Sequence, residues 1–476
     1  MGENIDAHQL KENLVQLRCH FTWGLVVEDS EVPDLENRIW EEIEFLDTKY
    51  NVGIYNLLAY VKHLQGQDED ALQSLNEAED LIHREHADLS DIGSLVTWGN
   101  YAWLYYHMGR LEEAQTYLDK VEDTCQKFAS QFRYSMECPE MDCAEGWALL
   151  KCGRQNYVRA RACFEKALQV EPENPEFSTG YAITLYRLDS DHNNVISLNP
   201  LRQAVRLNPA DTYIKVLLAL KLQDVNQEDE GEMYIEEALG STTSLMYILR
   251  YAAKFYRRKG CVERALELLQ RALRETPSSA FLHHQIGLCY RSQVFQINEA
   301  THKQPIGQDK EKLDNMVRLA IFHFKSALEQ RPTFDVALLH LAHMYVTAKD
   351  YRKAEDTFQK VLLIKPQEQK ILQEGHFYYG RFLEFQKKSE ADAIRHYLKA
   401  IEVKFASPAR EKSIRSLEKL ALRKLQRDES DLEGLSLLGL VYKLKGEIHK
   451  ALEYYERALS LAAVSDKAVK HGPQVI

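Results

Sequence analysis

Residues 342–366, AHMYVTAKDYRKAEDTFQKVLLIKP, contain the pattern that decides the fold. Small, aromatic and apolar residues and a final proline follow one another at fixed offsets: Ala342, Tyr345, Ala354, Phe358, Val361 and Pro366. The small residues let two helices approach closely, the aromatic side chains fill the space between them, and the proline ends the second helix. The stretch therefore predicts a pair of antiparallel helices.

The same order of residue types recurs along the chain with a period of about 34 residues, which is typical of tetratricopeptide repeats. Two further copies are clear, one anchored at Ala148 and Ala160 and one at Ala253 and Ala265. Weaker copies are anchored at Ala59/Ala71, Ala102/Ala114, Ala182/Ser197, Ala219/Gly231, Gly287/Ala320, Gly380/Ala393 and Gly439/Ala451. The sequence thus predicts ten helix pairs in an all-α tetratricopeptide-repeat superhelix, an α-solenoid.

The spacing of these anchors predicts how the chain is divided. The anchors are evenly spaced between Ala160 and Ala265, wider before Ala160 and after Ala354, and interrupted by a polar insertion that includes residues 301–312. We expect three subdomains: an N-terminal helical subdomain (1–135), a central superhelix with a binding groove (136–370) and a C-terminal array (371–476).

Composition excludes several classes of function. The formal net charge of −12 argues against a protein whose whole surface binds nucleic acid, so any such site must be local and inward-facing. Neither a signal sequence nor an apolar run of membrane-spanning length occurs, and the eight cysteines lack the spacing of a zinc site. Catalytic motifs are also missing. We expect a cytoplasmic binding protein without catalytic residues, bound metal, cofactor, membrane or DNA partner.

Residues 246–260 form a strongly basic segment of this acidic chain. Arg250, Lys254 and Arg257 share one helical face, which is either a solvated surface or an anion site. The first helix of each tetratricopeptide repeat faces the concave groove through positions 2, 5, 9, 12 and 13 of the repeat. These positions hold cations, aromatic residues and a carboxylate: Glu176, Ile183, Tyr186, Arg187, Tyr213, Arg250, Lys254, Arg257, Arg258 and His284.

That mixture suits a nucleic acid better than a peptide. Cations bind phosphates, and aromatic faces such as those of Trp147 and Tyr157 stack on bases. A carboxylate beside an aromatic ring can accept hydrogen bonds from the edge of guanine, and a cationic methylated guanine would stack more strongly. Trp147, at position 7 of its repeat, is equally compatible with a place in the core.

Six longer stretches are more specific than the repeat pattern: residues 16–23, 33–38, 45–50, 94–98, 251–259 and 451–458. They resemble the interferon-induced proteins with tetratricopeptide repeats, which are antiviral RNA-binding proteins of the cytosol. The resemblance implies a positively charged central tunnel that binds the 5′ ends of single-stranded viral RNA, either capped without ribose 2′-O-methylation or carrying a triphosphate. It also implies that translation is blocked by competition with cap-binding initiation factors.

The resemblance assigns roles to individual residues. Trp147 would stack on the cap guanine between apolar walls formed by Leu46 and Ile183, and Glu176 would read the base edge. Glu42 and Asp211 belong to the same pocket, where the family pattern has glutamine and asparagine. The phosphates and first nucleotides would be held by Arg38, Thr48, Lys151, Arg187, Arg250 and Lys254, with Tyr157 close to the first ribose. The following nucleotides would contact Tyr213, Arg257, His284 and Gln285.

Near the C terminus, Leu452, Tyr455 and Leu459 match the self-association motif of that family and form one apolar stripe. The resemblance implies a homodimer and mixed assembly with relatives. A stripe that packs inside its own repeat is the alternative.

A peptide-binding scaffold, for example for chaperone tails, is the rival hypothesis for the whole chain. That class needs a lysine–asparagine clamp across adjacent repeats. Here Asn56 is followed by Tyr60 where the second clamp residue should be, and Arg250 and Lys254 supply only part of a clamp.

Overall fold

The computed structural model describes residues 6–28, 32–45, 52–85, 90–189, 196–240, 245–364 and 369–470. Packing divides the chain into two compact units, residues 1–261 and 262–476. The division into three subdomains remains a prediction.

The first unit is built from thirteen described α-helices. Their bounds are α1 Ala7–Leu14, α2 Val32–Phe45, α3 Val52–Leu64, α4 Asp68–Glu85, α5 Ser90–His107, α6 Leu111–Lys127, α7 Pro139–Lys151, α8 Tyr157–Val170, α9 Pro175–Leu188, α10 Leu198–Leu207, α11 Thr212–Asp224, α12 Glu228–Leu239 and α13 Leu245–Lys259. A short 3₁₀ turn, Arg154–Asn156, precedes α8. From α3 to α12, consecutive helices pack in pairs, as the first five predicted repeats require.

The second unit contains ten described α-helices. Their bounds are α14 Val262–Glu275, α15 Ala280–Ala300, α16 Gly307–Gln330, α17 Asp335–Thr347, α18 Tyr351–Leu363, α19 Gln369–Phe382, α20 Glu390–Glu402, α21 Pro408–Arg427, α22 Leu432–Leu444 and α23 Ile448–Lys470. Four predicted pairs form here, and α21 is an additional helix between two of them. The polar insertion lengthens α15 and α16, so only residues 301–306 separate the two helices.

The all-α repeat fold is confirmed. Helices are present at both halves of all ten predicted repeats, and the described ranges contain no strand. Nor do those ranges contain a helix with the length and apolarity needed to cross a bilayer.

Close contacts between glycines and aromatic rings explain why the repeat needs small residues. A Cβ atom on Gly287 would lie 2.6 Å from the ring of Phe324, and one on Gly439 would lie 2.6 Å from the ring of Tyr455. Each ring belongs to the second helix of a pair and rests on the backbone of the first. Any larger residue at these glycines would push the two helices apart.

Phe164 of α8 has the same function for three helices of the first unit. Its buried ring lies against Gly146 of α7 and Gly180 of α9, and a Cβ atom on either glycine would come closer than 3.0 Å to ring atoms. The ring therefore fixes the distances between α7, α8 and α9. These helices carry Trp147, Tyr157 and Arg187, so the contact positions the candidate site.

Candidate nucleic-acid interface

Three helices of the first unit bring several predicted site residues together around Arg187, near the C-terminal end of α9. The Arg187 guanidinium donates a hydrogen bond to the hydroxyl of Tyr213 on α11 (3.2 Å). That hydroxyl is 3.4 Å from the hydroxyl of Tyr251 on α13, and the two rings meet edge to face with centroids 5.5 Å apart. Around these groups lie the members of what we call the cation cluster, Arg187, Arg250, Lys254 and Arg257.

The pKa values in this region report a strongly positive environment. Burial, followed by the neighbouring charges of Arg258, Arg187 and Arg257, lowers the pKa of Lys254 to about 8, although Tyr251 acts to raise it. Burial acts to raise the pKa of Tyr251, but Arg187, the hydrogen bond with Tyr213 and the cations of α13 outweigh it and lower that pKa to about 8. A bound anion would relieve this repulsion, so the cluster suits phosphate.

A second group of side chains forms what we call the tryptophan subsite, which comprises Trp147, Glu176 and Ile183. Trp147 is half-buried and meets Phe164 edge to face, with ring centroids 5.5 Å apart. Glu176 Oε1 lies 3.7 Å from the Sγ atom of Cys143, which is one helical turn before Trp147 on α7. Ile183 is buried in the core cluster against which Trp147 packs, one turn before Arg187. The subsite and the cation cluster therefore share helix α9.

Lys151 links the tryptophan subsite to α2. Its ammonium group lies over the Trp147 ring, 5.9 Å from the centroid, and forms an ion pair with Glu42. The sequence assigns Lys151 only to phosphates and predicts that a carboxylate at Glu42 needs Arg38 to neutralise it. In the structure Lys151 forms this ion pair with Glu42, so each charge compensates the other.

Asp211 caps the N terminus of α11. Its Oδ1 atom accepts hydrogen bonds from the backbone N–H groups of Tyr213 (2.9 Å) and Ile214 (3.1 Å), and burial raises its pKa. An asparagine would cap the helix equally well through its carbonyl oxygen. Compared with the asparagine of the family pattern, the aspartate keeps the helix cap. Only the second terminal atom of the side chain differs, because an acceptor oxygen replaces a donor nitrogen.

Comparison with known proteins places this geometry in a family. Tetratricopeptide-repeat models match residues 52–127, 315–373 and 432–464. The chain is 64% identical over 478 residues to the human antiviral innate immune response effector IFIT1, covering 99% of this chain and 100% of that protein. It is 43% identical over 474 residues to human interferon-induced protein with tetratricopeptide repeats 2, covering 98% and 99% of the two chains. The chain belongs to the family of interferon-induced proteins with tetratricopeptide repeats.

Solved structures of that family support the assignment of the fold. The human IFIT1 dimer with m7Gppp-AAAA has a TM-score of 0.87 and 64% sequence identity, covering 96% of this chain and 100% of that chain. The human IFIT1 dimer with PPP-AAAA has a TM-score of 0.85 and 62% identity with the same coverage. The resemblance found in the sequence is thereby confirmed at the level of family and fold.

Several residues that the family resemblance selected are not among the contacts described above. Leu46 and Thr48 fall outside the described residues. Arg38 lies exposed on α2. His284 and Gln285 lie on α15 of the second unit, where His284 is buried and its Nε2 atom is 3.0 Å from Nδ1 of His340. Their contacts with RNA remain predictions.

The C-terminal stripe of this family member divides into two kinds of side chain. Leu452 and Leu459 are 53% and 70% exposed on α23. Tyr455 lies against Gly439 of α22 and so packs within its own repeat. Packing inside its own repeat therefore applies to Tyr455, whereas self-association through the two exposed leucines remains a prediction.

The rival clamp hypothesis finds no support at Asn56. This side chain is 1% exposed and donates to Thr97 Oγ1 (2.9 Å), while its carbonyl oxygen accepts a hydrogen bond from Asn100 (2.7 Å). A buried amide whose hydrogen bonds are made inside the core cannot hold a peptide.

Sequence reasoning missed Tyr251 as a site residue and missed the partners of Lys151 and Arg258. Tyr251 stands at position 6 of its repeat, which is not one of the groove positions used above. Its hydroxyl reaches the groove cations because the tyrosine side chain is long. A search for tyrosines beside the basic positions of α13 would have found it.

Proposed function

We propose that this chain is a non-enzymatic, cytoplasmic effector of antiviral innate immunity that binds the 5′ ends of single-stranded viral RNA. Its ligands are caps that lack 2′-O-methylation and 5′-triphosphates, held in a positively charged tunnel. Bound RNA is withheld from cap-binding initiation factors, so its translation is blocked. The observation that carries this proposal is that the cation cluster and the tryptophan subsite are adjacent. On α9, Arg187 of the cluster lies one helical turn after Ile183 of the subsite.

The mechanism follows from the chemistry of the two groups. The cation cluster binds the bridging or terminal phosphates, and Lys151 adds a cation beside Trp147. Trp147 stacks on the cap base while the Glu176 carboxylate accepts hydrogen bonds from its edge. Tyr157 and Arg187 lie beside the first ribose, where a 2′-O-methyl group would clash or remove a hydrogen bond. The solved structures of human IFIT1 with m7Gppp-AAAA and with PPP-AAAA support the same ligands.

A substitution of Trp147 tests the cap assignment. We expect wild type to bind an RNA with an unmethylated cap more tightly than the same RNA with a 2′-O-methylated cap. Trp147→Ala should weaken binding of the unmethylated cap by about tenfold or more, since stacking contributes roughly 1–3 kcal/mol per base, and should leave triphosphate RNA almost unaffected. The measurement is the affinity for these three RNAs of one sequence.

Trp98→Ala is the control for losing a tryptophan, because Trp98 lies on α5 and donates its indole N–H to Glu79 (3.0 Å). It should bind all three RNAs as wild type does. If all three RNAs bind alike and Trp147→Ala changes nothing, the interface is a general anion channel and the cap assignment is wrong.

Binding of triphosphate RNA is expected to weaken as pH rises through about 8. Below this pH, Lys254 is protonated and Tyr251 is neutral, so the cluster is most positive. Above it, Lys254 loses its charge and Tyr251 gains a negative one, so binding a phosphate must first restore the proton. Between pH 7 and pH 9 this costs roughly tenfold in affinity for a single group with a pKa near 8.

Lys254→Arg is the matched variant for the pH series, because arginine keeps its charge throughout this range. Subtracting its profile removes the titration of the RNA and of Tyr251, and leaves the contribution of Lys254. A wild-type profile as flat as that of Lys254→Arg would show that Lys254 does not bind the phosphates.

We further propose that the exposed leucines of α23 mediate a homodimer and mixed assembly with relatives. An IFIT1 mutant of known structure that carries two leucine-to-glutamate substitutions is monomeric, which supports leucine contacts in that protein. Leu452→Glu/Leu459→Glu should therefore convert a dimer to a monomer in sedimentation, because two charges would be buried at the contact. Leu422→Glu, at another exposed leucine, should leave the mass unchanged. Equal masses for wild type and the double variant would contradict the assignment.

A further inference from the structure

Four side chains of alternating charge connect α9, α11 and α13 next to the cation cluster. Lys221 Nζ lies 2.8 Å from Oδ2 of Asp189 and 4.0 Å from Oδ2 of Asp224. The other carboxylate oxygen of Asp224 accepts a hydrogen bond from Arg258 (2.9 Å). We call Asp189, Lys221, Asp224 and Arg258 the charge ladder.

The Asp189–Lys221 pair, at one end of the charge ladder, is fully buried. The side chains of Lys221 and Asp189 are 2% and 0% exposed. Asp189 Oδ2 also accepts hydrogen bonds from the backbone N–H (3.2 Å) and the hydroxyl (2.6 Å) of Ser197. Removing two charges from water costs more than an average ion pair returns, so the pair is poor evidence of stabilisation. A role in fixing the positions of α9 and α11 relative to each other explains the buried Asp189–Lys221 pair better.

Each end of the charge ladder lies beside a member of the cation cluster. Asp189 is the C-terminal cap of α9, two residues after Arg187. Arg258 is one helical turn after Lys254 on α13. The helix between them, α11, carries both Lys221 and Asp224 and also Tyr213, which hydrogen-bonds to Arg187. The charge ladder therefore ties α11 to α9 and α13, the two helices that carry the cation cluster.

We propose that the charge ladder positions Arg187 and Lys254 for the RNA 5′ phosphates, and that Asp224 acts on Lys254 through Arg258. Neither carboxylate of the ladder needs to contact RNA. The proposal rests on the proposed function, because it assigns a purpose to the placement of these cations.

The electrostatics of Lys254 provide a readout that a purely structural role would not affect. Burial is the largest cause of its lowered pKa, and Arg258 is the next. Asp224 partly neutralises Arg258 and so limits this effect. Other ionisable groups near Lys254 and Arg258 are Tyr251, Arg250 and Arg257 on α13, Tyr186 and Arg187 on α9, and Tyr213 on α11. Helix α2, which also packs against α13, carries Arg38. The α12 carboxylates of Glu232 and Glu236 pair with Lys259 and Tyr256.

The test measures the pH at which Lys254 is half-protonated. This midpoint is obtained from a pH titration of the ¹³C-lysine-labelled full chain without RNA, monitored by NMR. The Lys254 signal is identified by its absence in Lys254→Arg. Arg258→Met should raise the midpoint by at least about half a pH unit, which is the interaction of one charge roughly a helical turn away in bulk water and is larger at a partly buried site. Asp224→Asn should lower it by a similar amount, because Arg258 is no longer neutralised. In the Arg258→Met background, Asp224→Asn should have little further effect.

A second measurement, the affinity for triphosphate RNA across the same pH range, connects the titration of Lys254 with RNA binding. In each variant, the midpoint of the affinity profile should move in the same direction as the midpoint of Lys254 protonation. Glu232→Gln is the matched control, since it removes a carboxylate that pairs with Lys259 on the same helix (2.5 Å). It should leave both midpoints unchanged.

Two results would overturn the proposal. One is a Lys254 midpoint that is the same in wild type, Asp224→Asn and Arg258→Met. The other is a loss of affinity of equal size at every pH in Asp224→Asn, which would indicate a structural role alone. A wild-type protein that titrates as expected but binds no RNA would instead refute the proposed function.

Discussion

Arg187→Glu is expected to lower the affinity for a 5′-triphosphate RNA by roughly a hundredfold or more. The substitution removes hydrogen bonds from a charged donor to phosphate, each contributing about 1.5–3 kcal/mol, and places a repulsive carboxylate in their position. It also removes the cation to which Tyr213 and Tyr251 are oriented. The measurement is RNA affinity at several salt concentrations. The log–log salt slope should become shallower by about 0.7 if one phosphate contact is lost.

Arg206→Glu controls for the change in net charge. Arg206 lies on α10 of the same unit, where it pairs with Glu173 on the surface (3.3 Å). The variant should bind RNA almost as wild type does. Arg187→Lys keeps the charge but loses the planar fork of donors, so an intermediate affinity is expected. Equal losses in Arg187→Glu and Arg206→Glu would mean that RNA responds only to overall charge and that the cation cluster is not its site.

Gly180→Ala is expected to destabilise the first unit by about 2 kcal/mol, even though alanine favours helices. The added Cβ atom would come closer than 3.0 Å to three atoms of the Phe164 ring, which is fully buried and also lies against Gly146. Helices α8 and α9 must then separate. The midpoint of thermal unfolding should fall by roughly 4–8 °C.

Gly53→Ala is the matched control, because Gly53 lies in α3 with no atom within 4 Å of an added Cβ. It should be neutral or slightly stabilising. The double variant Gly180→Ala/Phe164→Leu should be less destabilised than the sum of its single variants, because the smaller side chain makes room for the methyl group. Strict additivity would show that the ring does not set the distance between the helices.

The prediction for Gly180 depends on the repeat pattern of the sequence, whereas the prediction for Arg187 depends on the arrangement of charges in the folded chain. The small and aromatic residues of each repeat, such as Ala342 and Phe358, recur at fixed offsets, and these offsets predict the helix pairs. This works because most contacts in a repeat fold are made within a repeat or with the next one, at short sequence separation. The pairing of Gly180 with Phe164 follows the same local logic.

The candidate site was predictable only in part. The cationic face of α13 and the place of Arg187 and Trp147 follow from helical periodicity and from family resemblance. The ion pair between Glu42 and Lys151 does not, because the two residues are far apart in sequence and meet only after α2 has packed.

The sequence by itself therefore determined the repeat fold, the family and the types of residue that face the groove. Only the tertiary structure decided which charges compensate one another: Glu42 with Lys151, Asp189 with Lys221, and Asp224 with Arg258. The physical reason is that helix formation and repeat packing depend on neighbours in the sequence, whereas the energy of a charge depends on every charge and dipole around it in space and on its exclusion from water.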